Sequence, residues 1–449
     1  MRRRITSLLA ASLLPAALLC SCGSEKAETA ADSPAKPAAS FSAGDTGGAS
    51  EEASPEKEKL DADAVDYMPD AVLNEAEPAA VAADDGAASP EGEIPESQSE
   101  PVTEPPPDDG SQPFVLTAGE WNDNENWGFF TNLVHTGRIA FPSYGLDPVH
   151  KIQVTVTNGE APAANQTVTL LDGEQTVWTA KTDKTGKAYL FYPAGSKETK
   201  QYTLRTEGAA DTVCEVPAET VSQQGGTSVP QLSYTVDTSH TSVSYQKTEV
   251  MFILDTTGSM GDEITYLQKD FSAIAGEVGD ENMTFSVNFY KDEGDTYVTR
   301  CNPFTDDITA VQSTLNQEYA DGGGDLPEAV AEVLDEVITN GAWSAETNKI
   351  AFLIFDAPPH SGTPQETKLL AAAASAAEQG IHLVPVVASN ADRETELFGR
   401  ALAIMTNSNY VFLTDDSGIG EAHLEPIIGD YQVELLHDII VRNIRGIAS

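Results

Sequence analysis

The chain has little positive charge. Its 449 residues contain 25 lysines and arginines against 71 aspartates and glutamates, which gives a formal net charge of -46. Nucleic acids and anionic lipid surfaces repel such a chain, so nucleic acid is excluded as a partner, as is unaided binding to an anionic membrane. A partner that is cationic, or that is reached through a metal ion, is compatible with this charge.

Long hydrophobic runs are also missing. The one extended apolar run, Leu8 to Leu19, is too short to span a bilayer, and it follows three arginines at positions 2 to 4. A basic start followed by a short apolar run is typical of an export signal, which we place at residues 1–21. The rest of the chain is therefore expected outside the membrane.

Cysteines are few, at four in the whole chain. The segment Leu19-Cys20-Ser21-Cys22 is similar to the lipobox of bacterial lipoproteins, in which a small residue precedes the cysteine that is lipidated. The resemblance implies that Cys22 anchors the protein to a membrane, with the mature chain extracytoplasmic at the cell membrane or cell surface. A plain secretory signal with incidental cysteines is the alternative. Cys214 and Cys301 either pair in an oxidising exterior or stay as separate thiols.

The composition changes twice along the mature chain. Residues 22–112 are dominated by Ala, Glu, Asp, Pro, Ser and Gly, which predicts a disordered acidic tether because such a segment cannot bury enough apolar surface to fold. Residues 113–246 contain short segments that alternate apolar with polar at period two, such as 151–156 and 167–170, separated by turns. They predict a small β-sandwich, and residues 182–188 resemble a strand-turn-strand of immunoglobulin-like and transthyretin-like surface modules.

The first part of this β-rich region is rich in aromatic residues. Trp121, Trp127, Phe129 and Phe130 lie close together in the sequence. They predict a hydrophobic plug that packs against the sandwich, and a sugar-binding aromatic surface is the alternative.

Residues 247–449 alternate predicted strands with predicted helices. The apolar run from Val250 to Leu254 is typical of a buried parallel strand, and the segment after it places Ile264, Leu267 and Phe271 on one helical face. A series of this kind predicts an α/β domain with a doubly wound, mostly parallel sheet.

Three loops of this domain follow predicted strands or carry unusual residues. They are the Asp-Thr-Thr-Gly-Ser-Met segment 255–260, the Gly-Gly-Gly-Asp-Leu-Pro-Glu segment 322–328 and the Asp-Ala-Pro-Pro-His segment 356–360. Ligands of such sheets bind at the carboxyl ends of the strands. Asp255, Thr257 and Ser259 offer one carboxylate and two hydroxyls, hard oxygen donors that suit Mg²⁺, and Asp356 can join them from a neighbouring strand.

The first loop resembles the metal-ion-dependent adhesion site of von Willebrand factor A domains, and Asp356 matches the aspartate of their third loop. The resemblance implies a Mg²⁺ ion, or Mn²⁺ or Ca²⁺ in its place, and a non-enzymatic adhesion module. In the family, the ion binds an acidic side chain of a partner protein.

The second loop departs from the family, which usually offers a threonine there. This chain has Asp325 instead. Asp325 either ligates the ion, directly or through water, or caps the following helix in a capping box with Glu328. His360 is predicted as a loop residue hydrogen-bonded to backbone, with a metal ligand as the alternative.

Two other functions start from the same residues. The first loop is similar to the Asp-Lys-Thr-Gly-Thr signature of enzymes that are phosphorylated on aspartate, but Thr256 replaces the lysine. An envelope-assembly scaffold, in which the metal only stabilises the fold, is the other alternative.

Overall fold

The structure is a computed structural model that describes residues 115–142, 144–221, 226–279, 282–324, 326–417 and 422–448. The predicted export signal, Cys22, the predicted tether and Asp325 lie outside the described residues. Among the helices in the described ranges, none has the length and apolar character that crossing a membrane requires.

The described chain begins with strand β1 (Thr117–Trp121) and helix α1 (Trp127–His135). Phe130 of α1 is fully buried, and its ring stacks on Trp127 with 4.9 Å between the ring centroids. Phe130 therefore packs into the protein interior, whereas Phe129 is exposed, and the plug interpretation stays a prediction for the segment as a whole.

Two four-stranded sheets follow. One has the order β11-β2-β3 with β6 also paired to β2, the other has the order β5-β4-β7-β8, and β9 pairs with β10. The description of this region as immunoglobulin-like or transthyretin-like stays a prediction. The strands are β2 (Lys151–Asn158), β3 (Ala161–Pro162), β4 (Thr167–Asp172), β5 (Gln175–Lys181), β6 (Lys187–Phe191), β7 (Lys200–Thr206), β8 (Thr212–Val216), β9 (Thr220–Val221), β10 (Thr227–Ser228) and β11 (Leu232–Asp237).

An eight-stranded sheet forms the centre of the C-terminal region, in the order β14-β13-β12-β15-β16-β17-β1-β18. Strands β13, β12, β15, β16 and β17 are parallel, and the other three pair antiparallel. Its elements are β12 (Thr248–Asp255), α2 (Gly261–Val278), β13 (Met283–Tyr290), β14 (Thr299–Arg300), α3 (Ile308–Leu315), α4 (Val330–Leu334), β15 (Asn348–Phe355), α5 (Thr363–Gln379), β16 (Ile381–Val387), α6 (Arg393–Met405), β17 (Tyr410–Leu413), β18 (Glu434–Leu435) and α7 (Leu436–Ala448).

Both faces of this sheet are covered. Along β12, Val250, Phe252 and Leu254 belong to one hydrophobic cluster with α2, α3 and α7, whereas Met251 and Ile253 belong to another with α4, α5 and α6. Side chains alternate between the two faces of a strand, so a strand apolar at every position needs cover on both. The predicted doubly wound, mostly parallel sheet is confirmed.

Strand β1 differs from the sequence expectation. It lies in the segment assigned to the β-rich region, yet it pairs antiparallel with β17 and so extends the eight-stranded sheet. The expected boundary at residue 247 therefore does not separate two independent sheets. A five-residue strand carries no sequence signal for a partner almost three hundred residues away, so local periodicity could not have found this pairing.

The two cysteines in the described residues are separate thiols. Cys214 is buried and Cys301 is partly buried, and neither forms a disulfide. Of the two alternatives left open by the sequence, the structure has the unpaired one.

A buried ion pair joins the segment after β1 to helix α6. The fully buried guanidinium of Arg400 donates to both carboxylate oxygens of Asp123, at 2.8 and 2.9 Å, and to Glu396 Oε1 at 3.0 Å. Buried charges are stable only when paired, so this contact fixes the N-terminal segment to the domain.

Replacing Asp123 with alanine should lower the free energy of unfolding by about 3 kcal/mol, because Arg400 loses its bidentate partner while it remains buried. Urea denaturation measures the change. Asp172→Ala is the control, since it breaks only the exposed pair with Lys200 and should leave stability unchanged. Equal effects of the two substitutions would contradict the role of the buried pair.

Candidate functional site

The first loop leaves the carboxyl end of β12. Asp255 is the last residue of the strand and is fully buried, and its Oδ1 accepts hydrogen bonds from the backbone N–H of Thr257 at 2.8 Å and from Thr257 Oγ1 at 2.7 Å. Asp255 Oδ2 is also buried but has no hydrogen-bond partner. The loop is more than a helix cap, because no side chain caps the short 3₁₀ turn at Gly258–Met260 or helix α2.

The third loop brings Asp356 to the same edge of the sheet. Strands β12 and β15 are parallel neighbours with Leu254 opposite Ile354. Asp255 is one residue beyond Leu254 and Asp356 is two residues beyond Ile354, so both lie at the carboxyl ends of these strands. Asp356 is buried, and its Oδ1 has no hydrogen-bond partner.

The electrostatics show that these groups share one site. Burial raises the pKa of Asp255, and the negative charge of Asp356 raises it further. Burial also raises the pKa of Asp356, against the effect of a hydrogen bond from Ser259. Asp255, Thr257, Ser259 and Asp356 therefore lie near one another, and their assignment as metal ligands stays a prediction.

In the second loop, it is Glu328 that reaches the site. Its backbone N–H donates to Pro358 O at 3.0 Å, and its carbonyl accepts from the backbone N–H of His360, so the second and third loops are tied together. The Glu328 side chain is buried, and its Oε2 has no hydrogen-bond partner. Burial, with the charges of nearby aspartates including Asp255, raises its pKa to about 9.

The capping box of Asp325 and Glu328, one of the two alternatives for Asp325, would need a helix that begins at residue 326. Helix α4 begins at Val330, its N-cap residue is Ala329, and no side chain caps it. Asp325 itself lies outside the described residues. The sequence gave one indication for Glu328. The second loop lacks the threonine that the family usually offers to the metal ion, so another oxygen ligand could be expected from the same loop.

Two further residues of the site were not predicted. Glu263 of α2 is buried; its Oε1 accepts a hydrogen bond from Ser389 Oγ at 2.6 Å, and its Oε2 has no partner. The buried hydroxyl of Tyr290, at the end of β13, lies beside Asp255, whose negative charge adds to the effect of burial and raises the pKa of the phenol. Both occur in stretches that fit ordinary amphipathic or strand patterns, so periodicity alone hides them.

A buried lysine holds the loops in place. The ammonium of Lys291 donates to the backbone carbonyls of Thr256 and Asp321 and forms an ion pair with Asp321 Oδ1 at 2.5 Å. The glycine loop then lies against the first loop, where Gly258 N–H donates to Gly322 O at 3.2 Å. Gly323 has a φ of +68°, and a side chain there would crowd Thr257, so glycine is favoured at this position.

His360 contacts a carboxylate, whereas the sequence prediction gave it a backbone partner. Its Nε2 lies 2.5 Å from Asp292 Oδ1, and its backbone N–H donates to Glu328 O. The ring therefore helps to position the loop beside the site.

The site can hold a cation through oxygen atoms. Buried oxygens without partners belong to Asp255, Asp356, Glu328, Glu263 and Tyr290. A buried acceptor that lacks a partner is costly, and a hard cation such as Mg²⁺ is bound by oxygens of this kind. Within the described ranges, no group of three or more His, Cys, Asp or Glu residues is arranged for a metal. A cation would therefore also need the hydroxyls of Thr257 and Ser259.

The crowding of carboxyl groups predicts that the metal-free protein loses stability as the pH rises. Glu328 binds a proton more tightly in the folded protein than in the unfolded chain, so the folded state is penalised between its ordinary pKa of 4.5 and its folded pKa of about 9. In a chelator, the free energy of unfolding should be higher near pH 5 than near pH 8. Glu328→Gln, which cannot ionise, should reduce the difference, and an unchanged difference would contradict this account. Urea denaturation at both pH values measures it.

Comparison with known proteins agrees with this fold. The family model described as von Willebrand factor A domain matches residues 249–422. A solved structure, that of the conserved hypothetical protein BatB from Bacteroides thetaiotaomicron, is 16% identical, and the match covers 45% of this chain and 98% of that one with a TM-score of 0.33. No curated protein matches the chain. Residues 249–422 therefore form a von Willebrand factor A domain, a module that in general serves protein interaction or adhesion.

Proposed function

We propose that this chain is a lipid-anchored cell-surface protein whose von Willebrand factor A domain binds a partner protein through a divalent metal ion. The observation that carries the proposal is the pair of buried carboxylate oxygens, Asp255 Oδ2 and Asp356 Oδ1, that have no hydrogen-bond partner. A divalent cation between two buried carboxylates would balance their charge, which burial otherwise disfavours.

Five residues are candidates to hold the ion. Asp255, Thr257 and Ser259 come from the first loop, Asp356 from the third, and Glu328 fills the part of the second loop where the family usually has threonine. Asp325 stays a candidate from the sequence alone. Mg²⁺ is the expected ion, with Mn²⁺ or Ca²⁺ able to replace it, because all the donors are hard oxygens.

When bound, the ion supplies an open coordination position for an acidic side chain of the partner. The residues around it have other tasks. Lys291 and the glycine loop fix the first loop, and the backbone bridge between Glu328 and Pro359 fixes the second loop against the third. The site then needs little rearrangement on binding, which lowers the entropic cost of association.

The charge of the chain supports a metal-dependent contact. At a formal charge of -46, the protein repels an acidic partner unless a cation lies between them. We further propose that Cys22 carries the lipid, that residues 22–112 act as a tether, and that the small sheets act as a spacer. We propose no enzymatic activity.

The first prediction of this proposal concerns the ion. Mg²⁺ and Mn²⁺ should bind the wild-type chain in isothermal titration calorimetry and raise its melting temperature modestly, because the metal-free domain is already folded. Asp255→Ala should abolish the binding, whereas Asp262→Ala, which removes an exposed carboxylate seven residues on, should preserve it. Metal binding that survives Asp255→Ala would place the ion elsewhere.

The second prediction concerns the partner. Immobilised wild-type protein should retain an envelope protein in the presence of Mg²⁺ and release it on chelation, because the contact runs through the ion. Asp255→Ala should fail to retain it, and Asp262→Ala should retain it as wild type does. If the partner is still retained in the presence of chelator and by Asp255→Ala, the result would instead favour a structural scaffold.

A further inference from the structure

A cavity of about 580 Å³ lies at the amino ends of the parallel strands of the eight-stranded sheet. The candidate metal site lies at their carboxyl ends. The amino ends of β15 and β16 meet the turn between β5 and β6 at the cavity, together with the last residues of α5 and α7. Its volume is within the range of roughly 300 to 1,000 Å³ that small-molecule sites have. The small sheets and the eight-stranded sheet thus form a concave site between them.

The charge of its lining is the reverse of that of the chain. The lining contains five cationic residues, Lys181, Lys184, Lys187, Lys349 and Arg442, and three carboxylates, Glu120, Glu125 and Asp183. The whole chain has 25 cationic against 71 anionic residues. Lysines are therefore concentrated at this cavity in a protein that otherwise has very few.

Two of the three carboxylates are already engaged. Glu120 pairs with Arg442 at 2.8 Å. Asp183 belongs to the turn, where its Oδ1 accepts from the backbone N–H groups of Thr185 and Lys187 and its Oδ2 accepts from Asn407 Nδ2 at 3.0 Å. These contacts hold both carboxylates in place.

Within the described part of the chain, Lys181, Lys187 and Lys349 form no ion pair with a carboxylate. Lys181 and Lys349 place their ammonium groups 5.8 and 5.9 Å from the ring centre of Tyr245, so one aromatic ring lies near both charges.

Lys349 is held in place by its surroundings. Its ammonium donates to the backbone carbonyl of Thr347 at 3.0 Å and to that of Gln379, at the end of α5, at 3.4 Å. Burial lowers its pKa to about 8, and the charge of Lys181 contributes. A negative charge in the cavity would relieve this repulsion between the two lysines.

We propose that this cavity binds a small organic anion that carries carboxylate or phosphate groups. Lys181, Lys187 and Lys349 supply the positive charge, and Tyr245 supplies an apolar surface for the rest of the molecule. The site is independent of the metal site, because the two lie at opposite ends of the parallel strands.

Isothermal titration calorimetry of the full chain tests the proposal, with citrate and inorganic phosphate as separate probes. The buffer holds no divalent cations, so that citrate cannot act through the candidate metal site, and sodium chloride matches the ionic strength. At least one anion should bind, and the arm that binds more tightly separates carboxylate from phosphate recognition. Lys181→Met and Lys187→Met should each weaken binding roughly tenfold, as expected for loss of a charge-assisted contact.

Lys197→Met is the matched control, because it removes the same charge from an exposed position outside the cavity. It should bind as wild type does. If neither anion binds beyond the sodium chloride control, the proposal is overturned. It is equally overturned if Lys181→Met and Lys187→Met bind as tightly as Lys197→Met, since binding would then occur elsewhere.

Discussion

The repulsion between two buried carboxylates, Asp255 and Asp356, is the constraint on which the candidate site depends. Parallel pairing of β12 with β15 places both at one edge of the sheet, and neither has a basic side chain as a partner. Such an arrangement is unfavourable unless a proton or a cation is present. The adjacent Glu328 and Glu263 add two more buried carboxyl groups. Such a group of buried carboxyl groups destabilises the folded protein, and its oxygen atoms suit a hard cation.

The rest of the domain keeps these groups in position. Lys291 ties the first loop to the segment that leads into the glycine loop, and Gly323 allows that loop to lie close to Thr257 with little crowding. The hydrophobic clusters on both faces of the sheet fix the strands from which the loops leave. Much of the packing thus serves to hold like charges together against their repulsion.

Much of the fold could be predicted from the sequence, because the strands of the central sheet are continuous apolar runs and the helices show a clear period. The same apolar runs led to four candidate ligands, because these residues lie at or just after the end of a recognisable strand: Asp255, Thr257, Ser259 and Asp356. Glu328 could not be placed from the sequence, because a glutamate three residues after an aspartate also fits a capping box. The backbone bridge to Pro359, which brings the second loop to the third, is a contact between distant loops. Strand β1 and the Asp123–Arg400 pair depend on contacts across almost three hundred residues, which no local pattern contains.

The most direct test of the metal site is anomalous diffraction from crystals of the protein grown with Mn²⁺. The account predicts one strong anomalous peak at the end of β12 and β15, within about 2.1 Å of oxygen atoms from the first loop, as hard divalent ions require. It also predicts that the formerly unpartnered oxygens of Asp255 and Asp356 face that peak. A fully occupied Mn²⁺ elsewhere, with no ion in contact with these two carboxylates, would contradict it.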